Sequence, residues 1–130
     1  MNIEIHHIGF VVDNILQNIQ IFELLGFQKE GDMIEDFNQN NILQMMVDKL
    51  GTRIELIEPM NEKSTVNKNN LGLHHLAVSA DSEEELLKII KEKRIGKIFT
   101  DKIKAPLFEN KNVSFGFLKN NLLFEIIYKN

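Results

Sequence analysis

The sequence predicts an α+β fold of two tandem βαβββ modules, forming a curved, cupped mixed sheet with a metal site between them. Three observations predict it. The stretch His-His-Ile-Gly-Phe-Val-Val-Asp at 6–13 returns as His-His-Leu-Ala-Val-Ser-Ala-Asp at 74–81. The same order of apolar patterns follows each copy. Each half also closes on a strand with one glutamate among apolar residues, Arg-Ile-Glu-Leu-Ile around Glu55 and Leu-Phe-Glu-Ile-Ile around Glu125. A long internal period of this kind marks a repeated supersecondary unit.

Taken in order, 6–13 alternates in strand fashion. After Asp13, Ile15, Ile19, Phe22 and Leu25 recur at helical spacing, with Asp13 as expected N-cap and Gly26 as C-cap. Strands are expected near 27–36, 41–48 and 52–58, the last two joined at Gly51. Residues 59–72, polar and carrying Pro and Gly, connect the halves. In the second half Ser82 and Glu85 form a capping box, Leu86, Ile89 and Ile90 an apolar face, and Gly96 the stop. Strands then follow near 97–103, 112–118 and 122–128, with Lys119-Asn120-Asn121 as a tight turn. Residues 1–130 read as one domain, module one covering about 1–60 and module two about 70–130.

Composition narrows the function. Of 130 residues, 43% are apolar and 26% charged, an ordinary globular balance. The absence of Cys excludes a disulfide framework, a thiolate zinc site and a cysteine nucleophile, and fits a reducing cytoplasm. A net charge of −4 with no basic stripe argues against nucleic acid. No apolar run approaches the roughly 20 residues that span a bilayer. Nor does the start resemble a signal peptide.

Strand parity turns spacing into chemistry. Ile8, Phe10 and Val12 face the helix, while His7, Gly9 and Val11 face away. In the repeat His75 is the residue that faces away, followed by Ala77. An imidazole followed by a small residue, on the open face of a curved sheet, suits a ligand pocket. A lone core histidine is usually only a packed, hydrogen-bonded one. Two at equivalent repeat positions, each with a glutamate in the closing strand, make a ligand set. His7, Glu55, His75 and Glu125 are thus expected to hold one divalent ion such as Zn, Ni, Co, Mn or Fe. His6 and His74 fall on the other face and are read as structural. A slip of one residue would exchange the roles.

These residues resemble the vicinal oxygen chelate superfamily, which includes glyoxalase I, methylmalonyl-CoA epimerase, extradiol dioxygenases and bleomycin resistance proteins. The stretches 6–15, 54–66, 72–81 and 115–127 carry the resemblance, and Glu-Pro-Met-Asn-Glu-Lys-Ser-Thr-Val at 58–66 points to the epimerase branch. The resemblance implies a metal-dependent isomerase that moves a proton at the carbon next to a carbonyl. It also implies a small acyl-CoA or other carbonyl substrate, a homodimer, and Glu125 or Glu55 as the catalytic base. Two departures stand out. In epimerases a glutamate on the second strand of the first unit can serve as a base, and alignment puts Gln44 there. The Ala105–Lys111 loop and the short final turn also differ from the epimerase pattern. A glyoxalase I-like enzyme is the second reading, favoured by the His-Glu-His-Glu set. A metal-free bleomycin-resistance-type binding protein is the third.

Overall fold

The computed structural model describes residues 1–119 and 121–129, so Asn120 of the expected final turn lies outside the described residues. The chain divides into two compact units, one of His7–His74 and one of Met1–His6 with His75–Asn130.

The first unit takes β1 (Ile3–Val11) from His7 onward, then α1 (Ile15–Leu24), β2 (Gln28–Asp36), β3 (Asn41–Val47) and β4 (Arg53–Pro59). Its strands lie in the order β2-β3-β4-β1, with β1 parallel to β4 and the other pairs antiparallel. The helix begins one residue later than expected. Asn14, rather than Asp13, is the N-cap, and its side chain accepts from the Gln17 amide at 2.9 Å. The Glu58 carboxylate on β4 accepts from the Ile15 amide at 2.9 Å, which ties the helix start to the sheet. Ile15 and Ile19, with Phe22 beside them, pack on Val12, Met46 and Leu56. Each such buried aliphatic side chain contributes about 1.5–3 kcal/mol of transfer free energy. At the helix end the Gly26 amide reaches the Glu23 carbonyl and the Phe27 amide the Phe22 carbonyl. That is a Schellman closure, and Gly26 supplies its left-handed residue at φ +97°.

The second unit takes β5 (Gly72–Ala80) from His75 onward, then α2 (Glu83–Glu92), β6 (Gly96–Ile98), β7 (Ile103–Ala105), a 3-10 turn at Pro106–Phe108, β8 (Lys111–Leu118) and β9 (Leu123–Ile127). Its order is β5-β9-β8-β6, with β7 also paired to β8 and β5 parallel to β9. Ser82 caps α2 as expected, accepting from the Glu85 amide. Leu86 and Ile90 bury against Val78, Phe124 and Ile126. The first unit shows the βαβββ order and the second adds one short strand, β7, so the α+β class of tandem modules stands. The single strand expected at 97–103 is instead two short strands, because residues 99–102 leave the ladder. There the Phe99 and Thr100 amides both turn to the Phe115 carbonyl. The helix ends before Gly96, which opens β6; a Cβ there would collide with the Phe117 carbonyl.

Residues 1–6 join the second unit. The Asn2 amide donates to the Asp81 side chain at 2.9 Å, and the Asp81 amide donates back to the Asn2 carbonyl at 3.1 Å. The His6 ring meets Phe108 edge-on at 5.2 Å between centroids. Among the described residues no helix is long and apolar enough to cross a membrane.

Candidate metal centre

Each unit builds one imidazole–carboxylate pair in the same way. In the first, β1 and β4 run parallel with Gly9 opposite Glu55. His7 sits two residues before Gly9 and therefore on the same face. Because glycine offers no side chain, the glutamate leans back over it to the imidazole. His7 Nε2 stands 3.5 Å from Glu55 Oε1, with the two side chains 0% and 7% exposed. In the second unit β5 and β9 run parallel with Ala77 opposite Glu125. His75 Nε2 lies 3.2 Å from Glu125 Oε1. The same small-residue device thus appears in both copies, and the histidines so paired are His7 and His75.

The faces differ in what surrounds the pair. Around His75 and Glu125 the wall is apolar: Ala77, Ala105, Val113 and Ile127 form a buried cluster flanked by Phe108 and Phe115. Phe115 stands opposite Glu125 in the ladder and meets the His75 ring edge-on at 6.0 Å. The Ala105–Lys111 loop therefore has a packing role, since Phe108 closes one side of the wall. A wall without polar groups lowers the local dielectric and strengthens every charge interaction at the pair.

Around His7 and Glu55 the face carries a further carboxylate. Register places Met45 opposite Glu55, Leu43 opposite Ile34 and Asn41 opposite Asp36. Asp36 is thus on the Glu55 face, only 1% exposed. Burial pushes its carboxyl above the ordinary 3.8, and the nearby Glu55 charge adds to the rise. Hydrogen bonds from the Asn38 and Gln39 amides and the Gln39 side chain oppose it.

Gln44 lies in the strand expected at 41–48, but not on the face of Glu55. It lies on the third strand, opposite Leu56 and in phase with Ile42 and Met46, so it faces α1 and away from Glu55. Its amide nitrogen donates to the Gly31 carbonyl at 3.1 Å, beside the register shift between Glu30 and Ile34. Of the four acids on β2, Glu30, Asp32, Glu35 and Asp36, the buried one is Asp36. One signal for it was present in the sequence: Ile34 and Asp36 share strand phase, and Asp-Phe-Asn-Gln is a turn in which an aspartate binds the following amides.

Each of the two modules thus holds a buried histidine–glutamate pair, a set of nitrogen and oxygen donors. A family model for the Glyoxalase/Bleomycin resistance protein/Dioxygenase superfamily matches residues 6–115. The chain belongs to that superfamily. Among solved structures it is similar to a hypothetical protein from Bacillus halodurans C-125, with a TM-score of 0.83 at 22% identity over 100% of this chain and 96% of that one. It is similar to methylmalonyl-CoA epimerase from Mycobacterium tuberculosis, with a TM-score of 0.81 at 16% identity over 97% and 87% of the two chains. A Streptomyces coelicolor methylmalonyl-CoA epimerase variant in complex with 2-nitronate-propionyl-CoA gives 0.76 at 20% identity, over 95% of each. At these identities the likeness is one of fold. No curated protein matches the chain. Members of the superfamily usually bind a divalent metal, and the imidazole and carboxylate of each pair are donors of the kind such an ion takes.

Proposed function

We propose that the chain is a divalent-metal-dependent isomerase that moves a proton at the carbon next to a carbonyl, with a small acyl-CoA thioester as substrate. The observation that carries the reading is the duplicated, buried His–Glu pair. His7, Glu55, His75 and Glu125 would hold one ion, which supplies a positive charge for the substrate's developing enolate oxygen.

The remaining chemistry falls to the chain's own carboxylates. Inverting a carbon requires one group to take a proton and another to return it. Glu125 is proposed as one such group, with Glu55 as its alternative. A carboxylate that shares its oxygens with a metal loses basicity, whereas Asp36 keeps its own. Its raised pKa makes it a stronger base than a solvated aspartate, and it is proposed as the second group. The apolar wall of Ala105, Phe108, Val113 and Phe115 would exclude water from the exchanging proton. The superfamily's usual pairing supports a homodimer, and the lack of cysteine supports a cytoplasmic setting.

The test is exchange of the α-hydrogen of methylmalonyl-CoA with solvent deuterium, followed by NMR, beside elemental analysis for metal. About one ion per chain and metal-dependent exchange are expected. Bound metal with no exchange, together with turnover of the methylglyoxal–glutathione adduct, would move the assignment to a glyoxalase I-type lyase, the reading the His-Glu-His-Glu set also favours. A protein that holds no metal and turns over neither substrate would be a binding protein.

A further inference from the structure

The two helices end in the same way, and one of them does so at a cost. In α2 the Arg94 amide reaches the Lys91 carbonyl at 3.3 Å and the Ile95 amide the Ile90 carbonyl at 3.2 Å, the closure that Gly26 makes after α1. The residue that must turn left-handed is Arg94, at φ +52°. It lies 68 residues after Gly26, the same interval that separates His7 from His75. Glycine takes this conformation freely, and any L-residue with a Cβ is strained in it. A strained residue retained where the repeat's other copy has glycine points to a use for its side chain.

That side chain lines a groove of about 650 Å³ bounded by α2, β6 and the end of β8. The floor is apolar, made by Leu87, Ile90, Ile98 and Leu118, with Phe117 at the edge stacked on Phe99 at 5.2 Å. Four cations border the groove, Lys91, Arg94, Lys119 and, at its β6 edge, Lys97, and among the described residues that line it none is acidic. In a chain of net charge −4 this is a local reversal of sign. By strand phase Leu118 and Ile98 belong to the helix side of the sheet, opposite the face of His75 and Glu125.

We propose that this groove binds a small amphipathic organic anion, an aliphatic body ending in a carboxylate, with Arg94 as the principal partner of the head group. The apolar floor gives the body a place to leave water. The planar guanidinium offers a forked pair of donors that a lysine lacks, which accounts for an arginine at the strained position.

The experiment titrates decanoate into the full-length, metal-loaded protein, read by calorimetry and by amide chemical shifts, with decanol and inorganic phosphate as controls. Decanoate should saturate the groove and shift the amides of residues 91–98 and 117–119. Decanol and phosphate should each bind at least tenfold more weakly. Arg94→Gly should weaken decanoate by about five- to fifty-fold and at the same time raise Tm by about 4 °C, since the strain is relieved. Lys97→Glu, an exposed change, should weaken it in the same direction. Equal binding of decanol would show an apolar crevice without head-group recognition and overturn the proposal. Equal binding of phosphate would show a bare cationic patch and also overturn it. So would an Arg94→Gly protein with wild-type affinity, or a wild type that binds no decanoate at millimolar concentration.

Discussion

Replacing His75 by alanine tests whether the buried pairs exist for stability or for a ligand. In metal-free protein the change leaves Glu125 in an apolar wall, 3% exposed, without the imidazole 3.2 Å away. Breaking a buried pair on one side costs about 3–5 kcal/mol. For 130 residues the unfolding entropy is roughly 0.27 kcal/mol per kelvin, so Tm should fall by roughly 11–18 °C. Removing both partners is a different matter. A His75→Leu, Glu125→Met double variant fills the same space without buried polar atoms, and such exchanges are neutral or stabilising by about 1–4 kcal/mol. Thermal unfolding followed by circular dichroism after chelation, with elemental analysis of untreated protein, reads both effects. The single variant should be destabilised, the double should recover, and neither should hold metal. A single variant that loses less than about 1 kcal/mol would refute the account of the buried pair. A double variant that keeps full metal occupancy would refute the ligand assignment.

Three further outcomes are expected. His6→Gln and His74→Gln should each leave metal content unchanged by elemental analysis, because strand phase puts both on the face away from Glu55 and Glu125; loss of metal in His74→Gln alone would reverse the strand phase. Asp36→Asn should retain metal yet slow α-hydrogen exchange by about 10²–10⁴-fold. Its stability also carries a sign: a carboxyl whose pKa is raised by folding favours the native state below its ordinary 3.8, and that contribution is lost as pH climbs through the raised value. Metal-free Asp36→Asn should therefore gain on wild type between acid and neutral pH, read by urea unfolding at each pH. Gly116→Ala should lower Tm by several degrees, since a Cβ there meets the Lys97 carbonyl and the Ile98 side chain where β6 approaches β8.

Much of the architecture was legible because the signals were periodic. The two-residue alternation of 6–13 and 74–81 separated His7 from His6 and His75 from His74, and the repeat supplied the glutamates. What escaped was set by single residues or by distant parts of the chain. Asp36 sits in Met-Ile-Glu-Asp-Phe-Asn, where neighbouring polar residues make it look like turn surface; in the fold it pairs with Asn41 and is buried. The shift of the N-cap from Asp13 to Asn14 is one residue between two good capping types. Glycine is the usual left-handed residue, so the sequence points to Gly96 as the end of α2, and Arg94 fills that place instead. Only the register of β3 on β4 decides that Gln44 turns from the Glu55 face toward the helix.

The division of β1 has a consequence during synthesis. Residues 1–6 emerge from the ribosome before everything else described here, yet they belong to the unit completed by β8 and β9. Residues 7–74 form the other unit. The six that precede them must wait for the 55 residues after His75, roughly 3–11 s at ordinary elongation rates. During that interval Ile3 and Ile5 lie on a strand with unsatisfied amides, an open invitation to another nascent chain. Glu4 between them puts a charge in the middle of an apolar segment, and such charges oppose pairing with another chain. Glu4→Val should leave the finished protein's Tm within a few degrees while raising the insoluble fraction on rapid expression. An unchanged soluble yield would show that the waiting strand is already protected.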